Sequence, residues 1–490
     1  MPVKLSNATL NDLPEGVLRP TYDRTALTPG IVHIGLGNFH RAHQAWYLHR
    51  LMQAGGARDW AIIGAGVRPY DADMRERLLA QDCLTTLIEL DPAGTSAEVS
   101  GAMIDYLPIE EGNASLIAAM SDPAIRIVAL TVTEGGYYVD RVTGGLDVEH
   151  PDIVHDIANP ASPRTAFGAM VAAFSARRAA GHAPFTGQSC DNLQGNGDIL
   201  RRTVVTLARL TDDSLADWID REGAFPNSMV DCIVPATGPK EIALAREIGI
   251  DDAAPVTHEN FRQWVIEDRF CAGRPAWEEV GATITDDVHS YETMKIRILN
   301  AGHQVLANAG ELLSVGSISD CMTHSAIAPF FRKVERDEIA PYVDAVPGMK
   351  PEDYAILIER RFANPAIHDT VRRVAFDGSS RHTGFVLPVL RDALAAGGSV
   401  EGLALVEALW ARMCAGGRDD GTVIEPNDPM WSQLVVAALE AKERPMAWLE
   451  QERFYGDLAQ AAPFAEAFSR WLTRLWSEGT ESVLKAYAAA

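Results

Sequence analysis

The chain has 490 residues, of which 47% are hydrophobic and 22% charged, and its formal net charge at pH 7 is −24. This length predicts two or more domains around a sizeable core, and the composition is that of an ordinary globular protein. The negative charge argues against nucleic acid and anionic membranes as partners. The sequence has neither an apolar run of about 20 residues nor a signal-peptide core near its N-terminus, so we expect a cytoplasmic protein.

The first motif in chain order is an apolar segment, residues 31–34, that runs directly into Gly35-Leu36-Gly37. A helix-compatible segment follows, which gives the strand, tight turn and helix of a dinucleotide-binding unit. The first glycine makes the turn, the second lets the backbone approach a pyrophosphate, and the helix N-terminus receives the anion. His40 stands in place of the usual third glycine, so the motif is incomplete.

Strands and helices alternate through the first half of the chain. The predicted strands are 31–34, 60–67, 83–90, 125–132 and 185–190. The predicted helices are 42–54, 71–81, 114–121 and 164–181. This alternation predicts an α/β fold with a Rossmann-type, doubly wound and mainly parallel sheet, whose ligands lie beyond the carboxyl ends of the strands. Glu134 and Asn192 follow two of these strand ends.

Beyond about residue 285 the pattern becomes predominantly helical. The predicted helices there are 291–313, 324–336, 351–363, 366–375, 383–396, 400–415, 430–442 and 463–487. We therefore expect a Rossmann-type domain over residues 1–285 and a mostly α-helical domain over residues 286–490.

Three side chains that can take part in proton transfer or hydrogen bonding lie together on the first helix after this boundary. At about 100° per residue, His303 lies roughly 80° round the helix from Lys295, and Asn300 roughly 140°. The flanking residues are apolar enough for a buried helix, and burial lowers the pKa of a lysine so that it can act as a base. A buried polar network that serves only the architecture is the alternative. The position at a domain boundary favours catalysis, because small-molecule sites concentrate at such boundaries.

The cysteines and histidines do not predict a metal site. The six cysteines are scattered and form no Cys-x-x-Cys pair, so we expect reduced thiols. His40 and His43 have the spacing of a metal-binding pair, but no cysteine or carboxylate cluster accompanies them. We expect these histidines to shape the glycine turn or to face the cofactor.

Five motifs occur in the order of a known family. They are Gly35-x-Gly37-x-Phe39-His40-Arg41-Ala42-His43-Gln44, Thr131-x-Thr133-Glu134-Gly135-Gly136-Tyr137, Ser189-Cys190-Asp191-Asn192, Lys295-x4-Asn300-x2-His303 and Asp377-Gly378-Ser379-Ser380. Together they resemble the polyol-specific long-chain dehydrogenases, most closely their mannitol 2-dehydrogenase branch, over nearly the whole chain. The resemblance implies NAD(H), no catalytic metal, and reversible oxidation of a polyol secondary alcohol to a ketose.

The resemblance also implies roles for residues of the second domain. Lys295 corresponds to the general base that takes the hydroxyl proton. Asn300, together with Asn192 of the first domain, corresponds to an amide that stabilises the developing alkoxide. His303 and Arg373 correspond to contacts with substrate hydroxyls. Arg373 lies beside Arg372, so a solvated helix face is the alternative reading of that position.

In the first domain, the implied roles concern the cofactor, the substrate and the proton. Asp231 corresponds to a further residue of the substrate pocket, and Glu134 to an acid that assists proton exit. Gly35, Gly37, Asn38 and Phe39 form the cofactor turn. Asp71 corresponds to the acid that holds the adenosine ribose and favours NAD over NADP. A helix N-cap is the alternative for Asp71, and a bond to turn backbone is the alternative for Asn192.

Two departures from the family pattern bear on the substrate. Arg381 follows Asp377-Gly378-Ser379-Ser380 where relatives carry lysine, and a permanently charged, bidentate guanidinium beside Arg373 suits a carboxylate such as that of fructuronate. Cys232 stands where relatives often carry arginine, which weakens that case. We therefore expect a neutral polyol, with D-mannitol to D-fructose as the first choice.

Other functions stay open. Within the family, the alternatives are a fructuronate reductase, which is a mannonate oxidoreductase, and a D-arabinitol dehydrogenase. A protein that binds NAD(H) and senses redox state without turnover needs the glycine turn but not the Lys295, Asn300 and His303 strip. The family precedent leans towards a monomer.

Overall fold

The structure is a computed structural model that describes residues 1–140 and 143–490. The chain divides into two compact units, Met1–His289 and Ser290–Ala490. The division falls inside one helix, Val288–Met294.

The first unit contains the strands of the described chain, which we number β1 to β13. They are β1 (Val3–Lys4), β2 (Pro29–Ile34), β3 (Ala61–Ala65), β4 (Thr85–Asp91), β5 (Gly94–Ser100), β6 (Met103–Tyr106), β7 (Ile127–Leu130), β8 (Thr186–Ser189), β9 (Ser228–Asp231), β10 (Ile250–Asp251), β11 (Val256–Glu259), β12 (Gln263–Glu267) and β13 (Thr283–Thr285). Its helices are α1 (Asn38–Ala42), α2 (Gln44–Gln53), α3 (Asp71–Leu79), α4 (Ala114–Ser121), α5 (Pro151–Ala158), α6 (Ala166–Ala179), α7 (Asn196–Arg209), α8 (Asp213–Glu222) and α9 (Pro239–Glu247). The helix at the division is α10.

The main sheet of the first unit has five parallel strands in the order β6-β3-β2-β7-β8. From β2 the chain first builds outwards through β3 and β6, and then returns to the other side of β2 with β7 and β8. The direction of winding therefore changes between β2 and β7. In doubly wound sheets this is where ligands bind, beyond the carboxyl ends of the strands.

Both faces of this sheet are covered. Val32 and Ile34 of β2 pack into one apolar core, which includes residues of α4, α6, α7 and α8. Ile31 packs into a second core on the opposite face, with residues of α2 and the side chains of Trp264 and Trp277. This alternation follows from the two-residue period of a strand and confirms the predicted doubly wound architecture.

Smaller sheets in the first unit contain antiparallel pairs that the sequence did not predict. One has the order β11-β4-β5, with β4 and β5 antiparallel, and another has the order β13-β12-β9, with β12 and β9 antiparallel. β1 pairs with β10.

The second unit is predominantly helical, as predicted. Its α-helices are α11 (Ala301–Leu312), α12 (Ile318–Thr323), α13 (Ile327–Val334), α14 (Pro351–Phe362), α15 (Val371–Val374), α16 (Gly378–Arg381), α17 (Leu387–Ala395), α18 (Glu401–Cys414), α19 (Trp431–Ala441), α20 (Met446–Leu449), α21 (Glu452–Tyr455), α22 (Ala462–Glu478) and α23 (Thr480–Ala489). Three segments are π-helical: Lys295–Asn300, Glu335–Ile339 and His382–Val386.

Helix α18 is the centre of the second unit. All its residues from Gly402 to Cys414 are buried, and it packs against α11, α19 and α22. It also carries a buried carboxylate, Glu407, which accepts hydrogen bonds from His382 Nδ1 and from Tyr455 Oη, both at 2.7 Å. His382 directly follows Arg381, so this buried network fixes the end of the Asp377–Arg381 segment to the core.

Two predicted helices of the second unit are shortened or broken in the structure. The predicted helix 366–375 is helical only in α15, because Asp369 and Thr370 are drawn into extended pairing with residues 317–318. The predicted helix 463–487 breaks at Gly479, whose φ of 80° and ψ of 159° lie in a region that favours glycine.

The six cysteines are free thiols, as expected. Among the helices of the described residues, none has both the length and the apolar character that a membrane span requires.

Candidate active site

The glycine turn after β2 is fixed by the neighbouring strand. Gly35 has φ +93°, and a Cβ at this position would overlap the carbonyl oxygen of Thr131, which follows β7. The Thr131 hydroxyl donates to the Gly35 carbonyl oxygen, and His33 Nε2 lies 2.9 Å from that hydroxyl and donates to it. Only glycine satisfies both the backbone angle and the close approach. The turn therefore lies at the point where the direction of winding changes.

Gly37 differs from Gly35, because packing against the described residues does not demand a glycine there. It is exposed, has an ordinary φ of −72°, and a Cβ would meet no described atom within 4 Å. It immediately precedes α1, so the open space lies beside the backbone N–H groups that begin this helix. Such a cradle is what the close approach of a pyrophosphate requires.

The side chains after the turn are held by the protein. Asn38 Nδ2 donates to Pro235 O at 2.8 Å and to Thr237 Oγ1 at 2.9 Å, while the Phe39 ring stacks on His43 at 4.8 Å. These contacts position α1. Because the side-chain amide of Asn38 is already hydrogen-bonded, the part of the turn suited to a cofactor is the backbone of Asn38 and Phe39.

His40 fills the position of the missing third glycine by stacking. Its ring lies 3.4 Å from that of His33 on β2, with an interplanar angle of 20°, and both residues are buried. Burial lowers the pKa of His33 to about 3 and that of His40 well below its usual value. The described residues contain no cluster of His, Cys, Asp or Glu suited to a metal ion. The pair therefore joins strand to helix as neutral imidazoles.

Asp71 lies in the first turn of α3, just beyond β3. Its Oδ2 accepts the backbone N–H of Arg68, three residues upstream, at 3.0 Å. The N-cap residue of α3 is Tyr70 and makes no side-chain capping bond, so Asp71 is not the N-cap that the alternative reading expected. Burial raises the pKa of this carboxyl, while the N–H groups of Arg68 and Val67 oppose the rise. Arg68 itself is engaged elsewhere, because its guanidinium lies 3.1 Å from Asp152 and donates to Tyr138 Oη.

Glu134 and Asn192 are organised by a residue that was not predicted, the buried Asp191. Its carboxylate accepts the backbone N–H groups of Val132 at 3.0 Å and Thr133 at 2.8 Å. It also accepts the hydroxyl of Tyr137 at 2.8 Å. Burial raises the pKa of Asp191 to about 6. Asp191 thus ties the segment after β7, which carries the exposed Glu134, to the segment after β8, which carries the exposed Asn192.

Asp231 is the last residue of β9 and is buried, with 6% of its surface exposed. It lies opposite Gln263 of β12 in the antiparallel pair. The strand end therefore holds a buried carboxyl group opposite a polar residue.

The Lys295 segment is a π-helix and not the regular α-helix that the sequence predicted. Lys295 to Asn300 forms a π turn in which the Ala301 N–H bonds to the Ile296 carbonyl, five residues back. Residues i and i+5 share one face in such a turn, as i and i+4 do in an α-helix. The turn therefore brings Asn300 closer to the face of Lys295 than the predicted 140° would. Lys295 is buried, with 7% of its surface exposed.

His303 presents a polar atom that the described residues do not use. Its buried Nε2 has no hydrogen-bond partner in the described part of the chain, and the half-buried Asn300 precedes it by three residues. The His303 ring stacks on Phe362 at 4.3 Å. Burial lowers the pKa of His303 to about 3, so the imidazole is neutral. Buried polar groups normally find partners, so the His303 Nε2 atom suits a ligand.

Arg373 is paired with a second residue that was not predicted, Asp369. Arg373 Nε and Nη2 donate to the two carboxylate oxygens of Asp369, each at 2.6 Å, and Asp369 Oδ2 lies 4.0 Å from His303 Nε2. Arg373 is thus an organised side chain and not merely a solvated one. Arg381 Nη1 donates to the Val374 carbonyl at 2.7 Å.

The sequence contained signals for both unpredicted acids. Asp369 precedes Arg373 by four residues, a spacing at which opposite charges meet along a helix. Asp191 directly precedes Asn192 at a strand end, where a short acidic side chain binds turn N–H groups.

Comparisons with known proteins decide the family. Residues 29–279 match the mannitol dehydrogenase Rossmann domain, and residues 287–476 match the mannitol dehydrogenase C-terminal domain. The chain belongs to the mannitol dehydrogenase family. Among its relatives, mannitol 2-dehydrogenase of Cereibacter sphaeroides is 58% identical, over 97% of this chain and 99% of the relative. Mannitol 2-dehydrogenase of Phaeosphaeria nodorum is 39% identical, over 99% of this chain and 86% of the relative.

Solved structures of the same family agree with the fold. Mannitol 2-dehydrogenase of Pseudomonas fluorescens, in ternary complex with NAD and D-mannitol, matches with a TM-score of 0.86 at 38% identity, covering 99% of this chain and 100% of that one. A D-sorbitol dehydrogenase in substrate-free form matches with a TM-score of 0.91 at 33% identity, covering 98% and 100%. The mannitol dehydrogenase fold therefore extends over essentially the whole chain.

Proposed function

We propose that this chain is an NAD-dependent, metal-independent polyol dehydrogenase that oxidises D-mannitol to D-fructose, with Lys295 as general base. The observation that carries the proposal is the π turn that starts at Lys295. It contains the buried Lys295 and the half-buried Asn300, and it leads to His303, whose buried Nε2 has no hydrogen-bond partner among the described residues. The relatives named as mannitol 2-dehydrogenases support the choice of substrate.

Lys295 and Asn300 divide the work on the reacting hydroxyl. The Lys295 amine takes the hydroxyl proton and holds it at Nζ, while the carbon–oxygen bond becomes a carbonyl. The Asn300 amide N–H donates to the oxygen as negative charge develops there, and Asn192 has the same role in the first unit. Donors fixed in advance cost no reorganisation during reaction, so each is worth about a hundred- to a thousandfold in rate.

The remaining polar residues recognise the substrate and move the proton. His303 and Arg373 contact substrate hydroxyls, and Arg381 and Asp231 complete the set of substrate contacts. A neutral His303 has both a donor and an acceptor nitrogen, which suits hydroxyl groups. Glu134, exposed at the start of its segment, passes the proton to solvent.

The first unit fits NAD. Gly37 leaves open space beside the start of α1. Asp71, which follows β3, supplies a carboxylate for the ribose hydroxyls. NAD held by these residues would supply the acceptor for the hydride of the carbinol carbon. The ternary complex of the Pseudomonas fluorescens relative with NAD and D-mannitol supports this assignment.

The direct test is a screen for NAD reduction by the full chain in the presence of EDTA. The substrates are D-mannitol, D-arabinitol, D-sorbitol and D-mannonate, and products are identified chromatographically. The proposal predicts that D-mannitol gives the highest kcat/KM and that fructose forms in equal amount to NADH. Preference for D-arabinitol or D-mannonate would move the enzyme to another branch of the family, and absence of any turnover would favour a redox sensor.

A further inference from the structure

The Asp369–Arg373 pair is built more firmly than a surface ion pair. Asp369 is buried, its two oxygens receive Nε and Nη2 of Arg373 side-on, and these bonds raise the pKa of the guanidinium. The Asp369 carbonyl accepts the Ile318 N–H at 2.9 Å, which anchors the backbone. Thr370 Oγ1 accepts the Arg373 N–H at 3.2 Å, so the start of α15 holds both partners in register.

The side-on geometry leaves the other end of Arg373 available. Nη1 makes no hydrogen bond to the residues that the structure describes, and the side chain is 61% exposed. An arginine normally binds a carboxylate through two parallel N–H bonds, supported by its full charge. Here that charge is already matched by Asp369, so the open end can donate to a hydroxyl but gains little from a second anion.

His303 lies in the field of these charged groups. Besides burial, the groups that affect its pKa are Asp369, which raises it, and Arg373, Arg381 and Arg361, which lower it. Asp369 is the acid among these four, and its Oδ2 lies 4.0 Å from His303 Nε2. Removing its charge would leave three guanidinium groups around His303 without that compensation.

We propose that Asp369 determines specificity, by neutralising Arg373 so that this arginine recognises a neutral polyol hydroxyl and not the carboxylate of a sugar acid. This rests on the proposed function, in which Arg373 contacts the substrate. Asp369 does not touch the reacting atoms and acts through Arg373. A carboxylate brought to the open end of Arg373 would be repelled by the Asp369 carboxylate across the same guanidinium, whereas a hydroxyl would not.

The experiment compares D-mannitol with D-mannonate, which differ in charge. For the wild type, Asp369→Asn and Asp369→Glu, kcat/KM is measured for D-mannitol, and Ki is measured for D-mannonate as an inhibitor of D-mannitol oxidation. Asp369→Asn should lower the Ki for D-mannonate relative to the KM for D-mannitol by at least about tenfold. That change corresponds to about 1.4 kcal/mol. Asp369→Glu keeps the charge and should stay within about threefold of the wild type.

Glu311→Gln is the matched control. Glu311 is also a buried carboxylate, and it pairs with the adjacent Arg372, 3.6 Å away, and with Arg418. This variant should leave the ratio of Ki to KM unchanged. If Asp369→Asn lowered the affinity for both compounds equally, Asp369 would be a structural residue only and the proposal would be overturned.

A second variant covers the case in which Asp369→Asn does not fold. Arg373→Gln leaves the Asp369 charge without its partner, so it should raise the Ki for D-mannonate relative to the KM for D-mannitol. A lowered ratio would overturn the proposal. Failure of the proposed function can be distinguished from failure of this proposal. In the first case the wild type would oxidise no D-mannitol. The binding of D-mannonate to the wild type and the variants, measured by thermal shift, would still test the role of Asp369.

Discussion

The glycine turn of the first unit and the π turn of the second unit serve chemistry in opposite ways. At Gly35 the backbone itself is specialised, with φ +93° and a neighbour so close that no Cβ fits. At Lys295 the backbone hydrogen bond reaches five residues back instead of four, and in the proposed function the side chains carry the chemistry. The first arrangement requires glycine at one position because of its backbone, whereas the second depends, in the proposed function, on the identity of its side chains.

The largest effect is expected at Lys295. Lys295→Ala should lower D-mannitol oxidation by about a hundred- to ten-thousandfold, the usual contribution of a general base, because no other group takes the proton. NADH affinity and the melting temperature should change little. Steady-state kinetics measures the oxidation rate, and fluorescence titration measures the NADH affinity. Lys333→Ala, a lysine paired with Asp337 on another helix of the same unit, is the control and should keep full activity. Retention of more than about a tenth of the activity by Lys295→Ala would remove the lysine from the mechanism.

Two glycine variants should separate folding from cofactor binding. Gly35→Ala combines a left-handed backbone angle with overlap against Thr131, and should cost about 2–5 kcal/mol of unfolding free energy. Gly37→Ala meets no described neighbour, so the melting curve should stay close to that of the wild type while the Kd for NADH rises. Chemical denaturation and NADH titration provide the two readouts. Equal destabilisation by both variants would show that the two glycines have one structural role.

Asp191 should give the first unit a characteristic pH dependence. Its folded-state pKa of about 6 lies above the ordinary value, so the folded protein binds a proton that the unfolded chain releases. Its stabilising contribution is complete below about pH 4 and is lost as the pH rises through about 6, with at most about 3 kcal/mol involved. As the pH rises over this interval, the melting temperature of the wild type should therefore fall relative to that of Asp191→Asn. Asp213→Asn, at an exposed carboxylate, should show no such shift. A difference that is flat with pH would contradict the assignment.

The smallest effect concerns the choice of dinucleotide. NAD should exceed NADP in kcat/KM by at least about tenfold, or about 1.4 kcal/mol, since the Asp71 carboxylate repels a 2′-phosphate. Asp71→Ala should narrow this ratio, whereas Asp73→Ala, in the same first turn of α3, should not. Equal efficiency of the wild type with NADP would indicate that Arg68 leaves Asp152 and Tyr138 to bind the phosphate.

The sequence predicted those parts of the fold that depend on local pattern. The apolar strands that run into Gly35 and Thr131, and the long helices of the second unit, follow from periodicity and glycine spacing alone. The hairpin-like pair β4–β5 was missed because β5 is rich in small polar residues, which carry little strand signal. The break at Gly479 was missed because one glycine in an amphipathic pattern does not reveal its φ.

The same distinction holds for the candidate site. Lys295, Asn300 and His303 were found by their spacing, but the π turn was not, because a hydrogen bond to the fifth residue back has no signature in an α-helical periodicity. Asp191 was overlooked as a positioning residue because its partners, Val132, Thr133 and Tyr137, lie more than fifty residues away in the chain. Such roles depend on which strand ends become neighbours in the sheet.

Chemical rescue of Lys295→Ala by primary amines tests most directly whether the Lys295 amine is the base. Oxidation of D-mannitol by the variant is followed in EDTA at increasing concentrations of amines that differ in size and basicity. We predict that small amines raise the rate in proportion to the concentration of their unprotonated form, and that Lys333→Ala shows no response. A rate that no amine raises, or one that divalent metal restores and EDTA abolishes, would contradict a lysine base.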